Sequence, residues 1–197
     1  DLGQRQATDY LALGLSALDW AGHRFGPRSH EVQDVLIQLD RMLGRLFADL
    51  DTIVGSERYL VALTADHGVM PIPEHRSRLA DAGRLSAQQI VNAAETAVRA
   101  ELGPGQYVAR FEEQDFYFEP GIYARLLAQP DALKRVTDAI QAVEGVAKVY
   151  RGDTIPGRRD TGDMVERALA RNYYLGRSGD LLVVPRPYWT TSTNAAG

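Results

Sequence analysis

The chain has no cysteine, so disulfides and thiolate-held metals are excluded and any cation must be held by Asp, Glu or His. Many exported proteins also lack cysteine, so the compartment stays open. Histidine is scarce too, with four in 197 residues. No run of Lys or Arg occurs, and 22 basic against 26 acidic residues leave a net charge of −4. That balance argues against a nucleic-acid or membrane-surface partner. No apolar stretch approaches the roughly 20 residues of a membrane helix, and Asp1-Leu2-Gly3-Gln4-Arg5-Gln6 lacks the basic start and apolar run of a signal peptide. The chain opens without Met, which implies processing or excision at the N-terminus. Repeats and low-complexity tracts are absent as well. What remains is a globular sequence, 45% hydrophobic, long enough for one sizeable domain or a domain with a small appendage.

Tyr10 to Ala17 is a near-continuous apolar run of strand length, the pattern of a strand covered on both faces, and it ends at Asp19. Gly22 to Arg28 reads as a loop. Ser29 is placed to cap a long helix, with Glu31 in its first turn and Val32, Val35, Leu36, Leu39, Met42, Leu43, Leu46, Phe47 and Leu50 as one buried stripe before Gly55. A second apolar strand, Tyr59 to Ala65, ends at Asp66. Strand, loop, helix and strand make a βαβ unit, whose parallel strands end on one side of the sheet and bring Asp19 and Asp66 together.

Beyond Pro71-Ile72-Pro73 a polar stretch, Glu74 to Arg84, reads as a surface crossing. A smaller α+β region follows. It contains a helix capped by Ser86 and running to about Glu101, strands over Tyr107–Phe111 and Asp115–Phe118, and a helix capped by Asp131. A strand over Val146–Tyr150, a helix over Asp160–Ala170 and an apolar strand over Asp180–Pro185 complete it. The expected organisation is a core portion over 1–75, a cap or insert over 76–180, and a return strand and tail toward the core over 181–197. The fold class is α/β, a mostly parallel sheet flanked by helices with a smaller α+β cap.

Chemistry concentrates in two short stretches, Asp19-Trp20-Ala21-Gly22-His23 and Thr64-Ala65-Asp66-His67-Gly68. Carboxylate oxygen and neutral imidazole suit zinc, and paired zinc ions clamp the attacking and leaving oxygens of phosphoryl transfer. Each motif alone has a bland reading. Asp-x-x-x-His recurs by chance, and Asp66-His67-Gly68 also describes a strand-ending turn in which Asp caps the backbone. Their joint position at the ends of two adjacent strands, with Gly22 and Gly68 removing bulk beside each imidazole, favours ligation. His30 and His75 read as solvated surface. Ser16, Thr64 and Ser178 could be nucleophiles by residue type, but their surroundings read as strand filler and a turn. Arg177, in Gly176-Arg177-Ser178-Gly179, is a candidate for contacting substrate.

The stretch Ser16 to Pro27, then Glu31, Asp34, Leu39-Asp40 and Thr64 to Val69, resembles the alkaline phosphatase superfamily. The likeness is strongest to bacterial single-chain alkaline phosphatases grouped with type I phosphodiesterase/nucleotide pyrophosphatases. Arg177-Ser178-Gly179-Asp180-Leu181 and Pro187-Tyr188-Trp189 extend the likeness along the chain. The resemblance implies a two-zinc phosphate ester hydrolase, with Asp19 and His23 as ligands of one ion and Asp66 and His67 helping to hold the other. It also implies a nucleophilic Thr or Ser upstream, with a further metal-binding Asp, and a downstream His ligand.

None of these last three has a counterpart here, so the expectation is a C-terminal fragment of a phosphatase, inactive or nearly so alone. Within the class, monoester hydrolysis is favoured over diester hydrolysis, and a non-catalytic fragment or binding module is the competing class. Export to the periplasm or beyond is implied by resemblance only. A sheet lacking its early strands is expected to self-associate through an unpaired edge.

Overall fold

The computed structural model describes residue 3 and residues 5–76 and 81–192. It divides into two units, Asp1–His75 and Arg76–Gly197. The polar crossing expected over Glu74–Arg84 falls partly, and the tail beyond Ser192 wholly, outside the described residues.

In the first unit Ala17–Phe25 forms helix α1 and His30–Ile53 forms helix α2. The sequence expectation placed Asp19 and His23 on a loop after a strand, and the structure corrects this. Ala17, Leu18 and Ala21 are good helix formers, Asp19 sits favourably in the first turn, and Gly26, at φ +86°, provides the stop. The two expected strands also differ. Residues 10–15 and 59–65 form no strand among the described residues. Their apolar side chains are mostly exposed, Tyr10 at 90% and Leu60 at 92%, so no neighbouring strand covers them. The βαβ unit expected there is therefore not formed within the described residues.

Helix α2 starts where its cap predicts, the Ser29 hydroxyl accepting from the Val32 amide at 3.1 Å. Its expected stripe is only half covered. Val32 is buried, Val35, Leu39, Leu43, Leu46, Phe47 and Leu50 are intermediate, and Leu36 and Met42 are exposed. A short helix, α3, spans Pro73–Arg76.

The second unit holds most of the core. Strand β1 (Gly83–Ser86) leads into helix α4 (Ala87–Leu102), where the Ser86 hydroxyl accepts from the Gln89 amide. Ile90, Ala94 and Val98 recur at the three- and four-residue helical spacing and are buried together. Then come β2 (Val108–Glu112), β3 (Asp115–Phe118), α5 (Ile122–Leu127), α6 (Pro130–Gln141) and β4 (Val146–Arg151). A 3-10 turn over Ile155–Arg158, α7 (Met164–Asn172), β5 (Leu181–Pro185) and β6 (Trp189–Ser192) complete the order.

Helix α6 begins one residue ahead of the expected cap, so Asp131 lies in its first turn rather than capping it. Helix α5 follows Gly121 at φ +82° and was not foreseen. Its buried Ile122 and Leu126 are too short a pattern to announce a helix.

Strands β2, β3, β5 and β4 form an antiparallel sheet in that order. Residues 181–185 thus form β5, an inner strand of this sheet. Its continuous apolar run, Leu181 to Val184, follows from burial on both faces. Leu181 and Val183 join the main core with Phe116, Leu126, Leu133 and Ile140, while Leu182 meets Tyr150, Ile155 and Ala170 on the other face. β1 and β6 pair in parallel as a separate ribbon. Neither was foreseen, since Arg84 and the Thr-rich segment read as polar loop and tail.

The Gly179-Asp180 entry to β5 is constrained by close approach. A Cβ on Gly179 would lie 2.7 Å from the Phe116 nitrogen. The Asp180 carboxylate accepts from the Phe118 amide at 2.9 Å, and burial raises its pKa despite that bond.

Candidate metal centre

Helical geometry turns the Asp-x-x-x-His spacing into a pair. Asp19 and His23 stand one turn apart on α1, with His23 Nε2 3.2 Å from Asp19 Oδ1. The second half of the site is carried to α1 by a close contact. A Cβ on Gly22 would sit 2.8 Å from Val69 Cγ2, so the missing side chain lets the segment after His67 lie directly against the helix. Gly68, by contrast, faces open space, so only Gly22 of the two glycines performs the role the sequence suggested.

This contact sets His67 Nε2 3.7 Å from Asp19 Oδ1, with the two imidazole rings 6.1 Å apart and steeply inclined. One ligand atom from each of Asp19, His23 and His67 falls within 4.8 Å of the others. Asp66 is not in this cluster. Its Oδ1 accepts from the His67 amide at 3.0 Å, its Oδ2 lies 3.7 Å from His67 Nε2, and its side chain is 86% exposed.

Electrostatics favour a cation here. Asp19 Oδ1 is buried with no hydrogen bond of good geometry, its nearest polar neighbours being the two imidazole Nε2 atoms at 3.2 and 3.7 Å, an arrangement in which a cation can satisfy the carboxylate and both nitrogens together. His67 Nδ1 lies 3.0 Å from the Gly68 carbonyl. Donation along that bond leaves the Nε2 lone pair facing the two carboxylates, the tautomer a ligating imidazole needs. The Gly68 carbonyl first, then the Asp66 carboxylate, raise the pKa of His67, with Asp19 adding to them against desolvation. In both respects the positions invite positive charge, and two imidazole nitrogens with one carboxylate oxygen are a donor set that fits zinc. The sequence did not announce the part played by the Gly68 carbonyl, because a backbone acceptor has no residue signature.

The other candidates fall elsewhere. Thr64 Oγ1 donates to the Ala65 carbonyl at 3.3 Å, and Ser16 precedes α1 without a side-chain cap bond. His30 and His75 are exposed. Ser178 Oγ accepts from the Tyr174 amide at 3.0 Å, a turn bond. Arg177 belongs to the second unit, where its guanidinium lies 5.5 Å from the Tyr174 ring centroid and its carbonyl accepts from the Tyr117 hydroxyl.

The chain is similar to several known phosphatases. Alkaline phosphatase PhoK of Sphingomonas sp is 32% identical over 195 residues, 94% of this chain and 34% of its own length. Alkaline phosphatase PhoV of Synechococcus elongatus is 44% identical over 84 residues, 43% of this chain. A crystal structure of alkaline phosphatase PafA superimposes with a TM-score of 0.82 at 26% identity, covering 96% of this chain and 36% of that one. The fold is accordingly α/β, with parallel strands and helices, as in that phosphatase. The chain spans no more than about a third of the length of these relatives. Its sequence matches the type I phosphodiesterase / nucleotide pyrophosphatase family over residues 1–197, and the chain belongs to that family.

Proposed function

We propose that this chain supplies part of the metal centre of a zinc-dependent phosphate ester hydrolase, acting on small-molecule phosphomonoesters as one portion of a longer polypeptide. The observation that carries the reading is the convergence of one ligand atom each from Asp19, His23 and His67 within 4.8 Å. Asp19 and His23 would hold one ion, and Asp66 and His67 the second, Asp66 turning inward from its exposed position. Bound zinc neutralises charge on a transferred phosphoryl group and activates the attacking oxygen.

This chain's residues position that chemistry. α1 fixes Asp19 and His23 in register, the Gly22–Val69 contact fixes His67, and the Gly68 carbonyl keeps the His67 Nε2 lone pair directed at the cation. The Thr64 hydroxyl, a candidate by residue type, donates to the Ala65 carbonyl instead. The nucleophile is therefore assigned to polypeptide beyond this chain, and the chain alone is inactive. Arg177 is proposed as a substrate contact, and export to the periplasm or medium is proposed from the family resemblance alone. The curated relatives named alkaline phosphatase favour monoester hydrolysis. A diesterase is the second reading, favoured by the family description and by a human ectonucleotide pyrophosphatase/phosphodiesterase family member 23% identical over 151 residues.

The test compares p-nitrophenyl phosphate with bis-p-nitrophenyl phosphate as substrates of the longer zinc-loaded polypeptide and its Asp66→Ala variant. Preference for the monoester, lost in the variant, is the expected result. Turnover of neither ester removes the hydrolase reading.

A further inference from the structure

One nitrogen of the metal centre faces two claims. His67 Nε2 lies 3.7 Å from Asp19 Oδ1 and 3.7 Å from Asp66 Oδ2, so it is equally placed to share an ion with either carboxylate. With Nδ1 turned to the Gly68 carbonyl at 3.0 Å, a neutral imidazole has a single lone pair left, at Nε2. His67 therefore serves one ion at a time.

The two alternatives are unequal. Toward Asp19 the imidazole completes a set of three, because His23 Nε2 is already 3.2 Å from the same Asp19 oxygen and one ligand atom from each residue lies within 4.8 Å of the others. Two donors of one tetrahedral zinc stand about 3.3 Å apart, so closing this set on a shared cation takes side-chain shifts of about an ångström. Toward Asp66 the imidazole finds one carboxylate, and no third His, Asp or Glu joins them among the described residues. That carboxylate stands in solvent, and its other oxygen accepts from the His67 amide. Binding there strips water from a charged group and gathers two donors where the first alternative gathers three.

We propose that the first zinc ion taken up by this chain is held by Asp19, His23 and His67 together, and that a second ion is admitted only when His67 passes to Asp66. The inference rests on the reading of this cluster as a zinc centre and adds the order in which it loads. The partition of Asp19 with His23 and Asp66 with His67 is then the fully loaded state alone. Because the same nitrogen changes ions between the two states, each ion weakens the hold on the other, and the coupling is negative. The one-ion state keeps three protein donors and one open position, the arrangement in which zinc accepts water or substrate.

The test titrates the 197-residue chain with Zn2+ in a calorimeter and with Co2+ followed by visible absorption, while the imidazole resonances are read by NMR. One ion per chain should bind first, the His23 and His67 signals moving together while those of His30 and His75 stay in place. The second ion should bind at least about tenfold more weakly. His67→Ala should weaken the first ion at least about tenfold, since loss of an outer-shell partner alone costs about 10–100-fold. Asp66→Ala should leave the first ion's affinity unchanged and abolish the second. Both side chains are more than half exposed, so neither substitution opens a packed core, and an unshifted thermal transition of the second unit checks this.

Two ions of equal affinity, a His67 signal that does not move with His23 at the first equivalent, or a loss in Asp66→Ala as large as in His67→Ala would each overturn the inference while leaving a zinc centre in place. Failure to bind any ion would remove the inference and the centre together. None of these readouts uses hydrolysis. A chain that loads in this order yet belongs to a polypeptide turning over no ester keeps the inference and loses only the hydrolase reading.

Discussion

Gly145→Ala is the sharpest test of how the second unit is held together. Gly145 has φ +89°, and a Cβ built on it would lie 2.2 Å from Trp189 Cε3 and 2.6 Å from Cζ3. The indole cannot retreat freely. On another side it meets Gly83, where a Cβ would come within 2.8 Å of the ring, its Nε1 donates to Asp81, and the Arg186 amide donates to the Gly145 carbonyl.

Alanine therefore costs about 1–2 kcal/mol of left-handed backbone strain and about 1–3 kcal/mol of overpacking, less about 0.4–1 kcal/mol regained from a stiffer unfolded chain. The net is about 3 kcal/mol. For a unit of about 120 residues, that lowers Tm by about 12 °C.

Gly103→Ala is the control, because Gly103 also has φ +89° but nothing lies within 4 Å of its Cβ position. Strain alone predicts about 1 kcal/mol there, or about 4 °C. Thermal unfolding by circular dichroism measures both variants. Trp189 emission in a Trp20→Phe background should shift red only in Gly145→Ala. Equal losses in the two variants would refute the claim that the indole, rather than the backbone angle, demands glycine.

Three further outcomes follow from the geometry. Gly22→Ala should push Val69 off α1 and weaken zinc binding in a titration severalfold, while Gly68→Ala, with open space around it, should not. Glu166, buried between Arg158 at 2.7 Å and Lys148 at 3.3 Å, has its pKa lowered first by Arg158. A lowered folded pKa stabilises above the unfolded value of 4.5 and loses that contribution as pH falls through the folded value. The pH–Tm slope between the unfolded and the folded value should flatten in Glu166→Gln, and an unchanged slope would contradict the pairing. Asp180 is the opposite case. Burial raises its pKa, so its ionised form costs stability at neutral pH and the cost disappears as pH falls through the folded value. Asp180→Asn keeps an acceptor for the Phe118 amide, so its Tm should match or exceed wild type at pH 8 and lose any advantage toward pH 4.

The second unit was largely legible because its signals are local. Ser86 capping α4, the Ile90, Ala94 and Val98 spacing, and the apolar run of β5 each specify structure without distant information. β1 and β6 were not legible, since their pairing joins Gly83 to Trp189 across the whole unit and neither segment alternates. In the first unit α2 was found from its cap, but α1 was missed. The run from Tyr10 to Ala17 and the helix formers that follow it present no break, and apolar periodicity cannot place a strand-to-helix switch inside such a stretch.

The grouping of the candidate residues, as distinct from their identity and order, was not legible in the sequence, and the reason is physical. The sequence pairs Asp66 with His67 because they are neighbours, and their side chains do approach to 3.7 Å, yet Asp66 stands largely in solvent and outside the three-donor cluster. Helical spacing draws Asp19 to His23, and Gly22 brings in His67. The three donors are thus gathered by contacts that need no cation, with a buried carboxylate oxygen that makes no hydrogen bond at their centre. A site assembled that way holds its charge deficit in advance, so positive charge entering it relieves an existing cost instead of creating a new fold. Asp66 is held only by the His67 amide, so in the proposed site its recruitment is the step that binding must drive.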